Sequence, residues 1–185
     1  IQSKAFAKDK KIYGFFQENS GALWICTSTN GVIKITDPTK AGEEQLKIHT
    51  YAAKEGLSQY VLSVMQDRQS NLWFLTDVGL KYKNKNSRDF EFFKADGMPP
   101  GQVTSIMPDR DRNLLIGTSS GAISRYNVET KQFQALVTSA SLNNPTNNSG
   151  VPNFIYTMLE DKKGNIWASV FNYGVCRYNK ATGQT

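Results

Sequence analysis

The sequence predicts an all-β fold of β-propeller blades, four-stranded antiparallel sheets that repeat four times along the chain. Three observations predict it. The stretch GALWICTSTNG, Gly21 to Gly31, is a short hydrophobic run closed by polar turn residues; it recurs as SNLWFLTDVG (Ser70 to Gly79), RNLLIGTSSG (Arg112 to Gly121) and GNIWASVFNYG (Gly164 to Gly174). Aligned on the Trp position, the copies place Trp24, Trp73, Leu115 and Trp167 at separations of 49, 42 and 52 residues. That is the period of a propeller blade, too long for leucine-rich or ankyrin units and too rich in β-formers for paired helices. Six residues before this position stands an acid in every copy: Glu18, Asp67, Asp109 and Asp161.

Each blade reads in the same order. A first strand, IYGFFQ, VLSVMQ, VTSIMP or IYTMLE, carries a small residue at its third position: Gly14, Ser63, Ser105 and Thr157. This suits an innermost strand, where successive sheets converge and bulky side chains would collide. The acid follows, and between it and the Trp position lie turn formers, so its carboxylate is placed to accept backbone N–H groups of a tight turn. One acid per repeat is a structural signature rather than a catalytic pair. The Trp-bearing second strand comes next, then a glycine at Gly31, Gly79, Gly121 and Gly174. The third strand ends on a basic and an apolar residue: Lys34-Ile35, Lys81-Tyr82, Arg125-Tyr126 and Arg177-Tyr178. Weaker fourth strands begin at Leu46, Phe90 and Phe133. The resulting boundaries are 1–10 for an outer-strand remnant of a neighbouring blade, then blades at 11–56, 57–97, 98–150 and 151–185, the last without its outer strand.

The chain has 185 residues, 39% of them hydrophobic and 21% charged, ordinary values for a folded domain. No apolar run approaches a membrane span and no basic-then-apolar leader stands at Ile1, so this piece is expected neither to insert nor to carry its own export signal, and reads as excised. Cys26 and Cys176 form no metal-type spacing and read as small buried side chains. The net charge of +6, from 22 basic and 16 acidic residues, raises a polyanion reading. The basic residues are scattered, and the densest cluster, Lys81 to Arg88, is a solvated turn, so no nucleic-acid partner is expected.

The patterns VTSIMPDRDRNLLIGTSSGAISRYN, LSVMQDRQSNLWFLTDVGLKYKN and IYTMLEDKKGNIWASVFNYGVCRYN, with the connector KEGLSQYVLSV, resemble the two-component regulator propeller repeat. The resemblance covers residues 11 to 180. It departs at Leu115, where Trp is usual, and at Gly14 with Phe15 and Phe16, where a Ser-centred strand is usual. It implies that the four repeats are part of a larger, seven-bladed propeller in the periplasmic sensory region of a hybrid two-component sensor. Such sensors are membrane proteins that detect polysaccharide breakdown products.

On this reading the segment is a non-catalytic, ligand-binding module without cofactor or metal, its partner an oligosaccharide in the complete ectodomain. The face formed by the turns between second and third strands and by the connections between blades is where propellers contact ligands. It would present Asn30, Asp77, Ser119, Ser120, Asn172 and Tyr173 from the turns and Gln59, Tyr60 and Gln102 from the connections: amides, hydroxyls and aromatic planes of the kind sugars contact. These residues are equally the ordinary material of turns. The long connection from Val137 to Asn153 reads as mobile or as a lid, and Asn147-Asn148-Ser149 matches a glycosylation acceptor.

Two other classes compete. The GNIW rhythm also resembles the streptogramin lyases, enzymes that use histidine and acidic residues near a divalent metal. The single histidine, His49, falls in an outer strand, and no Ser/His/Asp or Cys/His constellation can be assembled. A protein-interaction scaffold is the third class, weakened by the absence of Gly-His and Trp-Asp signatures. Four blades of a seven-bladed shape subtend only part of a ring, so weak sugar binding by the segment alone and self-association as a two-fold dimer are expected.

Overall fold

The computed structural model describes residues 11–39, 46–142 and 153–185. The expected outer-strand remnant at 1–10, the 143–152 part of the long connection and the Asn147-Asn148-Ser149 tripeptide lie outside the described residues. The fold is all-β. The first sheet holds β1 (Ile12–Gln17), β2 (Leu23–Thr27), β3 (Val32–Thr36) and β4 (Lys47–Tyr51). The second holds β5 (Val61–Gln66), β6 (Leu72–Thr76), β7 (Gly79–Lys83) and β8 (Glu91–Phe92). The third holds β9 (Val103–Pro108), β10 (Leu114–Thr118), β11 (Ile123–Asn127) and β12 (Gln132–Val137). The fourth holds β13 (Ile155–Glu160), β14 (Ile166–Val170) and β15 (Gly174–Tyr178). Strands within each sheet follow chain order and pair antiparallel. The chain divides into two compact units, Ile1–Phe93 with the first two sheets and Lys94–Thr185 with the last two.

The small third residue of each first strand marks a β-bulge. Register skips between Ile12 and Gly14, Val61 and Ser63, and Ile155 and Thr157, and the β9 pairing skips at the same place, from Ser105 to Val103. Within each unit the first strands run beside one another, β1 against β5 and β9 against β13. Thr104, the bulged residue of β9, spans that gap by donating from Oγ1 to the Ile155 carbonyl at 2.7 Å. A bulge bends a strand and re-aims its side chains, which suits strands that must converge.

The turn from first to second strand is the same in all four sheets. The backbone N–H of the acid donates to the carbonyl four residues on, at 3.0, 3.0, 2.9 and 2.9 Å, and the residue three after the acid donates back to the acid's carbonyl. That third residue has positive φ everywhere: Gly21 89°, Ser70 67°, Arg112 58° and Gly164 82°. In the second sheet Asp67 accepts the N–H groups of Gln69 and Asn71 at 2.9 Å, and its Oδ2 accepts the Trp73 indole N–H at 2.9 Å. The fourth sheet repeats this with Lys163, Asn165 and Trp167 around Asp161.

The other two sheets depart from that clasp for traceable reasons. Leu115 has no side-chain N–H, and Asp109 Oδ2 instead accepts from Arg125 Nε at 2.5 Å while Asp109 Oδ1 still takes the Asn113 N–H. Glu18 is one methylene longer; its carboxylate pairs with Lys34 at 2.7 Å, and the buried Trp24 Nε1 has no acceptor. Lys34 Nζ lies 4.8 Å from the Trp24 ring centroid.

In the first unit, Trp24, Cys26 and Val32 pack on Val61, Val64, Leu72 and Phe74 of the second sheet, with Trp24 edge-on to Phe74 at 5.6 Å. In the second, Leu115, Ile123, Val137 and Leu142 pack on Ile155, Met158, Ile166 and Ala168. Burying an indole removes roughly 200 Å² from water, worth about 5 kcal/mol. Both free cysteines are buried, and burial pushes the Cys26 thiol up to about 12.

The four sheets differ in two respects that their aligned letters hide. Trp24, Trp73 and Leu115 are essentially inaccessible, but Trp167 is 37% exposed. In each unit the Trp side of the first sheet is covered by the second sheet of that unit, whereas that side of β13–β15 exposes Leu159 and Val175 along with Trp167. The third-strand column is also misaligned in the second sheet. Lys34, Arg125 and Arg177 stand opposite Trp24, Leu115 and Trp167, but Trp73 faces Tyr82 and Lys81 faces Phe74. The β6–β7 turn has only two residues between paired Thr76 and Gly79, and such a shortening reverses which side chains share a face. Lys81 is therefore buried; its ammonium donates to the Gly56 carbonyl at 2.6 Å over the Phe92 ring, and desolvation holds its pKa below the usual lysine range.

Candidate functional site

The turn between second and third strands is tied to the chain entering the same sheet by one repeated hydrogen bond. Ser28 N donates to the Lys11 carbonyl, Asp77 N to Tyr60, Ser119 N to Gln102 and Phe171 N to Phe154, at 3.0, 3.4, 2.8 and 2.9 Å. All nine residues expected to contact ligand lie in these turns and connections.

In the first unit the structure brings Asn30, Gln59, Tyr60 and Asp77 together. Asn30 N donates to Thr27 Oγ1, and Gly31 N reaches the Gln59 carbonyl at 2.7 Å. Gly31 has φ 64°, and a Cβ there would run into the carbonyls of Tyr51 and Ser58, so only glycine fits. Ser58 Oγ donates to Asp77 Oδ1 at 2.6 Å and accepts from Tyr60 N at 3.2 Å. The Tyr60 hydroxyl donates to the Tyr13 hydroxyl at 2.7 Å, the ring centroids 5.0 Å apart. That hydrogen bond, then burial, raises the Tyr60 hydroxyl above the ordinary tyrosine value.

In the second unit Ser119, Ser120 and Gln102 meet. Gln102 N donates to Ser119 Oγ at 2.9 Å, and Ser120 Oγ donates to the Pro100 carbonyl at 2.9 Å. Asn172, with φ 60°, and Tyr173 sit in the β14–β15 turn beside an aromatic group instead. Phe154 stacks on Phe171 at 4.8 Å and meets Tyr156 edge-on at 4.5 Å. Sequence reasoning misses Tyr13, Ser58, Phe154 and Tyr156. Tyr13 and Tyr156 are the bulged residues of their strands, one before the small residue, and that offset is the signal that could find them.

The arrangement offers hydroxyl, amide and carboxylate groups beside aromatic planes, an inventory for binding a polyhydroxylated ring. Its exposed aromatics, Tyr13 and Tyr156 among them, present stacking faces. None of the nine residues lines the cavity of about 840 Å³ in the second unit or that of about 380 Å³ in the first. The former lies between the 96–100 segment and β12 beside Met98 and Phe133. His49 stands on β4 opposite Lys34, with its ring against Tyr51 at 4.3 Å. Among the described residues no three His, Cys, Asp or Glu side chains gather as a metal site would require.

The family model of the two component regulator propeller matches residues 149–172, a span that takes in β13 and β14. The chain carries a two-component regulator propeller repeat. That repeat is the one whose clasp joins Asp161 to Trp167, and the second sheet reproduces it bond for bond. The fold is also that of known propeller ectodomains. The extracellular domain of a hybrid two component system from B. thetaiotaomicron superposes with a TM-score of 0.71 at 24% identity, over 96% of this chain and 25% of that one. A second such extracellular domain from the same organism gives 0.68 at 17% identity, over 93% and 21%. Virginiamycin B lyase from Staphylococcus aureus gives 0.63 at 13% identity, over 95% and 54%. The chain thus spans about a quarter of the length of the first two structures. No curated protein matches it in sequence. Among the described residues no helix is long and apolar enough to cross a membrane.

Proposed function

We propose that the chain is a non-catalytic, ligand-binding segment of the periplasmic ectodomain of a membrane-anchored two-component sensor, and that the ligand is an oligosaccharide. The observation that carries the reading is the Tyr13–Tyr60 and Ser58–Asp77 cluster. It sets two tyrosine hydroxyls 2.7 Å apart and a carboxylate 2.6 Å from a serine hydroxyl on one rim of a two-component regulator propeller fold. Sugar recognition uses this combination, an aromatic plane under C–H groups and paired donors and acceptors at hydroxyls. A lyase reading needs a histidine placed for proton transfer, and His49 lies on an outer strand.

Glycan-array screening of the complete ectodomain, followed by calorimetry on the best glycan, tests the proposal. Tyr60→Ala and Asp77→Ala in that ectodomain are expected to weaken binding at least tenfold each, with this segment alone binding weakly. Saturable binding that both substitutions leave untouched would move the site elsewhere. Turnover of a streptogramin by the segment would overturn the non-catalytic reading.

A further inference from the structure

We propose that the cleft between the third and fourth sheets is a binding site for a small planar heteroaromatic bearing an N–H, of which indole is the simplest. This stands apart from the oligosaccharide rim and rests on other residues. The cleft is a cavity of about 250 Å³ with Leu115, Leu136 and Ile166 among its apolar lining and Asp109, Glu160 and Lys180 among its charged lining. An apolar cavity of about 150 Å³ suffices for benzene, so this one has room for a bicycle.

The repeat itself defines the ligand. At the position of Leu115 the other sheets carry Trp24, Trp73 and Trp167, and in two of them the indole N–H donates to the carboxylate of the repeat's acid, Asp67 or Asp161, at 2.9 Å. In the first and fourth sheets a third-strand cation lies over the indole, Lys34 at 4.8 Å and Arg177 at 5.8 Å from the ring. The third sheet keeps every other part of this frame. Arg125 occupies the register position of Lys34 and Arg177, opposite Leu115. The acid is present as Asp109. Only the bicyclic ring is missing; Leu115 itself is inaccessible to water and forms part of the cavity wall.

An acceptor waits at the same cavity. The Glu160 side chain is 3% exposed; its Oε2 accepts the Arg110 backbone N–H at 2.7 Å, but its Oε1 accepts no hydrogen bond and has only ion-pair neighbours, Arg110 at 4.0 Å and Lys180 at 3.8 Å. A buried carboxylate oxygen without a donor is costly, and a ligand N–H supplies one. The ring would lie on Leu115 and Ile166 with the Arg125 guanidinium against its face.

Calorimetry and backbone amide NMR with indole and with benzothiophene, its isostere lacking the N–H, test the proposal on the 185-residue chain. Indole is expected to bind with a dissociation constant on the order of 0.1–1 mM and to shift amide signals of β10 and β14. Benzothiophene is expected to bind about tenfold more weakly, the worth of one hydrogen bond. Leu115→Trp should fill the slot and abolish indole binding while leaving the chain folded, since Arg125 would then sit over the new ring as Lys34 does over Trp24. Leu115→Phe should weaken binding if the larger substitution does not fold. No saturable indole binding, equal binding of the two ligands, or indole binding that persists in folded Leu115→Trp would each overturn the assignment.

Discussion

Trp73, a residue only 1% exposed, donates its indole N–H to Asp67 Oδ2 at 2.9 Å, and Trp167, 37% exposed, makes the same bond to Asp161 at the same distance. The pair separates the contribution of the hydrogen bond from that of burial. Trp73→Ala is expected to cost about 3–5 kcal/mol and Trp167→Ala about half as much, while His49→Ala costs almost nothing. Urea denaturation midpoints check the order; equal losses at Trp73 and Trp167 would show that burial is not what distinguishes them.

The Asp161 carboxyl is held well below the usual carboxylate range, first by the Trp167 N–H and then by the Asn165 side-chain amide, with backbone N–H groups of Asn165 and Lys163 adding to both. A carboxylate whose folded pKa is depressed stabilises the fold above its unfolded value near 4. That contribution is lost as pH falls from there toward the folded value. Unfolding free energies between pH 2 and 5 should therefore drop less steeply in Asp161→Asn than in the parent chain. Parallel curves would contradict the assignment.

Asp109 is nearly inaccessible and leans on Arg125, whereas Glu18 is more open and leans on Lys34. Removing one partner of a buried pair leaves an uncompensated charge. Arg125→Met should cost about 3 kcal/mol and Lys34→Met about 1 kcal/mol. Adding Asp109→Asn to Arg125→Met should recover part of the loss, and a double-mutant cycle that closes without coupling would exclude the pairing.

Ser70 and Arg112 hold the left-handed position that Gly21 and Gly164 fill in the other two sheets. Side chains there carry a strain of about 1 kcal/mol. Ser70→Gly is expected to stabilise by a few tenths to about 1 kcal/mol, and Gly164→Ala to destabilise by about 1 kcal/mol. Melting temperatures moving the other way would refute the turn assignment.

The period, the acid and the Trp column are legible in the sequence because their chemistry is local. Six residues separate Asp67 from Trp73, and the turn between them has one geometry wherever it occurs. What depends on a neighbouring sheet is not written in the repeat. Nothing in GNIWASV distinguishes an indole that will be covered from Trp167, which is not. The alignment of Lys81-Tyr82 with Arg125-Tyr126 fails because the two-residue turn before Gly79 changes strand parity, a count that looks trivial in letters and reverses a face in three dimensions. The rim follows the same division. Asn30, Gln59, Tyr60 and Asp77 are turn residues and can be found as such; Tyr13 joins them only through a bulge in β1 and a hydroxyl contact 47 residues away along the chain.

The two kinds of clasp also differ in when they can close. Asp67 with Trp73 and Asp161 with Trp167 are six residues apart, so the bond completes as soon as the first hairpin of the sheet zips. Glu18 with Lys34 and Asp109 with Arg125 are sixteen apart and wait for the third strand. Loop-closure entropy favours the shorter tie, and contacts close in sequence form early. On loop closure alone, the side-chain clasps of the second and fourth sheets, one in each unit, are expected to close before those of the first and third.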